Sequence, residues 1–206
     1  MNETTVDNGP SIDWSDEELL LEYRSRGDSR AFDQLVQRYE RELYSYLRNY
    51  LGDAQMAEDT FQTTFLQVHL KCGQFQEGRK VRPWLYTVAT HQAIDAQRRN
   101  RRHRMVSLDQ RTGGSKGQTA LGELIGSDEP GPTEWVESAE RREEVQNAVS
   151  SLPESLRQVI LLVYYQGMKY REAADVLDIP VGTVKSRLHS AVSRLSGTLS
   201  TMAKNN

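Results

Sequence analysis

The chain has 206 residues, of which 37% are hydrophobic and 27% charged, with a net charge of -3. That length holds one or two domains with modest cores, and the near-neutral balance excludes a protein that coats nucleic acid by bulk charge, so any basic footprint is local. A single cysteine, Cys72, excludes an intramolecular disulfide and fits a reducing compartment. Residues 1–14 are polar and acidic without a hydrophobic signal core, and no apolar run is long enough to span a bilayer. A disordered N-terminus and a cytoplasmic chain without membrane insertion are therefore expected. His69, His91, His103 and His189 are scattered and Cys72 lacks a partner at ligand spacing, so neither a metal nor a cofactor is expected. No phosphate-cradling glycine loop and no catalytic constellation is present, which argues against an enzyme.

Taken in order, Ser15-Asp16-Glu17-Glu18 reads as a capping box ahead of Leu19, Leu20 and Tyr23. Gly27 ends this first helix, and Asp28 or Ser29 caps the next. The second helix carries Phe32, Leu35, Val36, Tyr39, Leu43, Tyr46, Leu47 and Tyr50 at spacings of three and four, and Gly52 closes it. Asp53 caps a third helix, Ala54 to Leu70, with Ala57, Phe61, Thr64, Phe65 and Val68 inward. Its outer face, Glu58, Asp59, Gln62, Thr63, Leu66 and Gln67, is acidic and amide-rich with one leucine, which suits a protein partner better than DNA. A merely solvated helix face has the same composition.

Residues Gly73–Arg82 form a loop with one aromatic, Phe75, and the cations Arg79 and Lys80. Pro83 starts a fourth helix through Trp84, Leu85, Val88, Ala89 and Ile94, in which Trp84 reads as core. The helix runs into Arg98, Arg99, Arg101, Arg102, His103 and Arg104; Asp95, Arg98 and Arg102 share a face, one turn after His91. Cations that hold phosphates beside an aromatic loop suit strand separation. The plain alternative is a helix C-terminus stabilised by its dipole. From about Val106 to Gly131 periodicity disappears into glycine-rich and then acidic linker sequence. The lack of apolar anchors there predicts two domains that move independently in the free protein.

Pro132 or Thr133 opens a helix through Trp135, Ala139, Val145, Ala148 and Val149, and Pro153 opens another, through Leu156, Val159, Ile160, Val163 and Tyr164 to Gly167. Tyr170, Ala173, Ala174 and Leu177 then mark a short amphipathic helix that Pro180 stops. In the helix that follows, Val184, Leu188, Ala191, Val192 and Leu195 make one apolar stripe. The opposite side shows Gly182, Ser186, His189, Ser190 and Ser193, with Lys185 on one flank and Arg187 and Arg194 on the other. This is a helix-turn-helix pattern: short polar groups over base edges, cations beside phosphates. The expected fold is all-α, with two small helical domains, residues 15–105 and 132–200, a flexible linker at 106–131 and a disordered tail at 201–206.

Ala57-Glu58-Asp59-Thr60-Phe61-Gln62-Thr63-Thr64-Phe65-Leu66, Pro83-Trp84-Leu85-Tyr86-Thr87-Val88-Ala89 and Ala93-Ile94-Asp95 with the arginines resemble region 2 of bacterial sigma factors. Leu152-Pro153 through Leu195, above all Gly182-Thr183-Val184-Lys185-Ser186-Arg187-Leu188, resembles region 4. Two such regions and a short linker are similar to the extracytoplasmic-function (ECF) group of the sigma-70 family. The resemblance implies a transcription initiation factor for core RNA polymerase. It implies that Asp59, Gln62, Thr63 and Leu66 dock on the β′ clamp helices. Phe75, Arg79, Lys80, His91, Asp95, Arg98, Arg99, Arg101 and Arg102 would serve the −10 element, with a flipped base near the loop. Thr183, Lys185, Ser186, Arg187, His189, Ser190 and Arg194 would serve the −35 element. The second domain would also meet the β flap, and the linker would thread toward the RNA channel. Thr63 stands where the family commonly has an acid, His91 where many members have Asn, and His189 or Ser190 where a basic or aromatic residue is common, so the promoter sequence stays open. An anti-sigma factor would be a further partner.

Two other classes compete. A sigma-like decoy that only sequesters an anti-sigma factor has no need of DNA-facing cations, which both halves keep. A dimeric helix-turn-helix repressor leaves the arginine-ended fourth helix and the acidic third unexplained.

Overall fold

The computed structural model describes residues 14–108 and 144–205; the expectations for the N-terminus, the linker and the helix segment at Trp135 and Ala139 lie outside these. All regular structure among the described residues is helical. A first bundle comprises α1 (Asp16–Arg26), α2 (Ser29–Leu51), α3 (Ala54–Lys71) and α4 (Val81–Leu108), with a 3₁₀ turn Cys72–Gln74 after α3. A second comprises α5 (144–151), α6 (Glu154–Ile160), α7 (Tyr170–Leu177) and α8 (Val181–Asn205).

Local chemistry sets the helix ends. Ser15 and Glu18 form the expected capping box, with Glu18 N–H donating to Ser15 Oγ at 3.2 Å and Ser15 N–H donating to Glu18 at 2.7 Å. The bonds from Ser15 hold the Glu18 carboxyl below its ordinary range. Asp28, rather than Ser29, caps α2, and Asp53 caps α3. Gly27 and Gly52 close α1 and α2 at φ of 68° and 74°, a region that only glycine enters without strain. The α4 helix begins two residues before Pro83, because the otherwise orphaned Val81 N–H donates to Glu17 Oε1 of α1 at 3.0 Å. The expected helix to Gly167 ends differently: after Ile160 the chain widens into a π-turn, Leu161–Tyr165, with Gln166 N–H bonded five residues back to Leu161.

Leu19, Leu20, Leu43, Tyr46, Leu47, Leu85 and Tyr86 are fully buried in the first bundle. Tyr46 and Tyr86 meet edge to face at 5.1 Å, and the Tyr46 hydroxyl shares a buried 2.8 Å hydrogen bond with Thr90. In the second bundle Val159, Leu161, Leu162, Val176, Val184 and Ala191 form the interior.

The two bundles are not independent in this structure; one apolar cluster runs through both. Three polar junctions join them. Tyr50 OH donates to Glu154 at 3.1 Å and accepts from Gln158 Nε2 at 2.6 Å. Arg82 donates to the Gln166 carbonyl at 2.8 Å, and Tyr86 OH donates to Gln166 Oε1 at 2.6 Å. Arg101 pairs with Glu154 at 3.8 Å. The linker's composition says nothing about these groups, which lie in the helices on either side of it. Tyr50→Phe combined with Tyr86→Phe keeps both rings in the core while leaving buried Gln158 and half-buried Gln166 without these partners, at about 1–3 kcal/mol for the pair. The expected result is a lower unfolding midpoint and a larger radius of gyration by small-angle scattering. Unchanged values for both would show that the junctions do not hold the bundles together.

Candidate nucleic-acid interface

Three surfaces carry the residues singled out in the sequence. On α3, Asp59, Gln62 and Leu66 are exposed and Thr63 is half-buried. Their polar groups bond within the helix: Gln55 to Asp59 at 3.0 Å, Gln62 to Glu58 at 2.9 Å and Thr63 Oγ to the Asp59 carbonyl at 2.7 Å. Leu66 is 55% exposed, and Leu70, one turn on, is 62% exposed. Leu70 extends the exposed apolar edge of this face beyond the residues singled out in the sequence. Its spacing of four from Leu66 and seven from Thr63 was the available signal, because those positions share a helical face.

On α4, His91, Asp95, Arg98 and Arg102 form one exposed strip, within about 60° of each other around the helix. Arg98 lies 3.9 Å from Asp95. Arg99 and Arg101 leave on opposite sides of this strip. Arg99 lines a groove of about 290 Å³ between α3 and α4 with Met56, Asp59, Thr60, Thr63, Gln92 and Ala96. The expected polymerase and −10 surfaces therefore meet along one groove. Arg101 instead reaches Glu154 of the second bundle.

Phe75 requires a correction. Expected on the −10 surface, it is 3% exposed, with its ring 5.2 Å from that of half-buried Trp84. Val81 at the other end of the loop is fully buried, and Gln76, Glu77, Gly78, Arg79 and Lys80 between them are exposed. Gly78 takes φ of 84°, and Arg79 N–H closes a turn on the Gln76 carbonyl at 3.2 Å. The loop thus presents amide and guanidinium groups, while its aromatic ring serves as an anchor.

In the second bundle, α7 and α8 form the helix-turn-helix. Asp178 takes the left-handed conformation at φ 50°, which aspartate tolerates better than most side chains, and Ile179 N–H bonds to the Ala174 carbonyl at 3.1 Å. Pro180 leads into α8 and accepts from Thr183 N–H at 2.8 Å. Val184, Leu188 and Ala191 are buried and Leu195 half-buried, as the stripe requires. Val192 is 41% exposed instead, since it lies about 70° off the centre of that stripe. Ser186, His189 and Ser190 are exposed on the far side and Lys185 on its flank, and Thr183 and Arg187 are half-buried beside them. Ser186 Oγ donates to the Thr183 carbonyl at 3.1 Å. Arg194 stands apart. It is roughly 20 Å along α8 from Val181 and lines a cleft of about 460 Å³ with Ser151, Leu152, Pro153, Gly197 and Thr198.

A helical bundle with an arginine-edged groove, followed by a helix-turn-helix with a polar outward face, defines a helical transcription factor with two nucleic-acid surfaces. Sequence profiles make this specific: residues 35–103 match Sigma-70 region 2, and residues 142–195 match Sigma-70, region 4. The chain is 33% identical over 176 residues to the ECF RNA polymerase sigma factor SigW of Bacillus subtilis (strain 168), covering 84% of this chain and 92% of that one. It is 30% identical over 182 residues to the RNA polymerase sigma-H factor of Pseudomonas aeruginosa, covering 85% and 89%. Among solved structures, CnrH in complex with the cytosolic domain of CnrY is similar with a TM-score of 0.65 and 25% identity, covering 90% of this chain and 97% of that one. The sigma factor RpoE of Bartonella quintana, solved with the anti-sigma factor NepR, shares the fold with a TM-score of 0.65 and 22% identity, covering 82% and 96%. The chain belongs to the ECF group of the sigma-70 family and acts in promoter-directed transcription initiation. No described helix is long and apolar enough to cross a membrane.

Burial of Phe75 gives a direct check. Phe75→Ala removes the partner of Trp84 and should cost about 3–5 kcal/mol in chemical denaturation. A ring used for DNA contact alone would leave the denaturation midpoint unchanged.

Proposed function

We propose that residues 15–105 bind core RNA polymerase and the −10 element, and that residues 132–200 read the −35 element. The observation that carries this reading is the outward face of α8: Ser186, His189 and Ser190 are exposed opposite buried Val184 and Leu188, with exposed Lys185 on the flank. Those residues, with Thr183 and Arg187 at the edges, fall in the first ten positions of α8. A recognition helix presents that end to a major groove. Arg194 lies far enough along the helix to serve only a flanking phosphate.

Asp59, Gln62, Thr63 and Leu66, extended by Leu70, form a polar surface with an apolar anchor. That composition suits docking on the β′ clamp helices. His91, Asp95, Arg98, Arg99 and Arg102 line the path of the −10 strand, with the cations on phosphates and the smaller polar groups toward bases. Arg79 and Lys80 extend this path from the loop, while Phe75 supports it from below. Arg101 joins these cations only once Glu154 has let go. The chain supplies recognition and strand separation, and nucleotide addition stays with the polymerase, so no catalytic residue, metal or cofactor is assigned to it. It works in the cytoplasm with promoter DNA, the polymerase and its β flap. CnrH binds the cytosolic domain of CnrY, and an anti-sigma factor of that kind is the further partner assigned here.

The two promoter elements lie about 25 base pairs apart, about 85 Å of B-DNA at ~3.4 Å per pair. The longest described helix, α4 with 28 residues, spans about 42 Å. A span about twice the length of α4 favours separation of the Tyr50, Tyr86 and Arg101 junctions on promoter engagement.

Reconstitution tests these assignments: the chain with core polymerase on promoter libraries, scored for specific transcripts. Core binding without specific starts would favour a decoy. Asp59→Ala with Gln62→Ala should weaken core binding at least severalfold while helicity and stability stay within about 0.5 kcal/mol, since both side chains are exposed. Normal core binding by this double variant would remove α3 from the docking surface. His189→Ala should change −35 preference by about 1–3 kcal/mol at one position, with core affinity and salt dependence intact. A uniform fall across all −35 sequences would mean that α8 docks in another rotation.

A further inference from the structure

The exposed loop 76–80 stands on two buried feet, Phe75 and Val81, and both are held from the same helix. Arg24 of α1 donates from Nη1 to the Phe75 carbonyl at 3.0 Å, and its Nη2 pairs with Glu77. Glu17 of α1 accepts the Val81 N–H at Oε1, 3.0 Å away, and its other oxygen lies 3.7 Å from Lys80 Nζ. Glu17 and Arg24 are two helical turns apart to within about 20°, so they leave one face of α1 about 10 Å from each other. The helix that carries them is itself fixed. Leu19 and Leu20 are fully buried, and Asp16 accepts from Arg38, at 2.9 Å, and from Tyr39 of α2.

The Arg24 and Glu17 side chains are partly shielded, with 28% and 26% of their surface accessible, while the loop residues they hold are open to solvent. Without these anchors, five exposed residues that include a left-handed glycine would have only one short main-chain turn to order them. A loop that discriminates between bases must hold its donors and acceptors in one place, since a wandering contact binds every base nearly alike. The two candidate readers, the Gln76 amide and the Arg79 guanidinium, lie between the two anchored feet.

We propose that Glu17 and Arg24 are positioning residues for −10 specificity: α1 acts as a strut that sets the span and tilt of the Phe75–Val81 arch, without touching DNA itself. This rests on the reading of the 75–82 loop as a −10 contact. The test uses holoenzyme made from the full chain and core polymerase, on promoters randomised in the −10 element with a constant −35 element. Arg24→Ala and Glu17→Ala should each flatten the preference at the same −10 position by about tenfold, with core affinity and −35 preference unchanged. Glu17→Gln keeps a carbonyl oxygen for the Val81 N–H and should retain the parental profile. Glu77→Ala frees one arm of the Arg24 fork from an exposed side chain, so it should flatten the same position, less strongly, without threatening the core. Gln76→Ala with Arg79→Ala separates the two ideas. If that pair leaves −10 preference unchanged, the loop does not read the element and the strut falls with it. If the pair shifts preference while Glu17→Ala, Arg24→Ala and Glu77→Ala keep the parental profile, the loop reads and only the strut is overturned. A uniform loss of activity with an unaltered profile in the α1 variants also overturns it, because a merely structural role predicts that result.

Discussion

The hydroxyl of Tyr50 lies between the two bundles, donating to Glu154 at 3.1 Å and accepting from Gln158 at 2.6 Å. Burial pushes its pKa well above the ordinary phenol range, and Glu154 adds to this, so the group remains a donor. The Tyr50 carbonyl accepts from Gln97 of α4 at 3.4 Å, and the Arg157 guanidinium sits 5.9 Å from its ring centre. One residue thus ties α2 to α4 and to α6. A buried polar group is costly when unpaired and modest in net value when paired. Such a junction therefore specifies one arrangement more than it adds stability, and it can be exchanged for another when both sides find new partners. That suits a protein whose two ends must meet distant DNA elements.

The same logic separates the core from the working surfaces. Helix α4 buries Leu85, Tyr86, Ala89 and Ala93 and keeps His91, Asp95, Arg98 and Arg102 in water. Helix α8 buries Val184, Leu188 and Ala191 and keeps Lys185, Ser186, His189 and Ser190 outside. In both helices a 3.6-residue period lets one element be a structural rib and carry the proposed nucleic-acid surface at once. Rigid placement follows from the buried side, and chemistry from the exposed side. The Phe75 loop reaches a similar result by other means, with its ring on Trp84 and its ends on α1.

Much of this architecture follows from sequence. Ser15 with Glu18, Asp53, Gly27 and Gly52 mark helix ends because capping is local chemistry between near neighbours. The exposed polar side of α8 and the arginine strip of α4 are legible because periodicity converts position into direction. Two motif sets in order sufficed to assign the family. The tertiary structure decided what depends on residues far apart in the chain. Phe75 looked like an exposed aromatic in a polar loop, and only the placement of Trp84 beneath it shows that it is an anchor. Val192 looked like part of the stripe, but among the described residues no neighbouring helix covers that edge. Arg101 and Arg102 are adjacent and chemically alike, yet a carboxylate 53 residues beyond the first draws it away from its neighbours. The docking of the bundles through Tyr50, Tyr86 and Gln166 rests on contacts 80 to 108 residues apart. No local pattern encodes these contacts, because they depend on which buried polar groups the packed helices bring within reach.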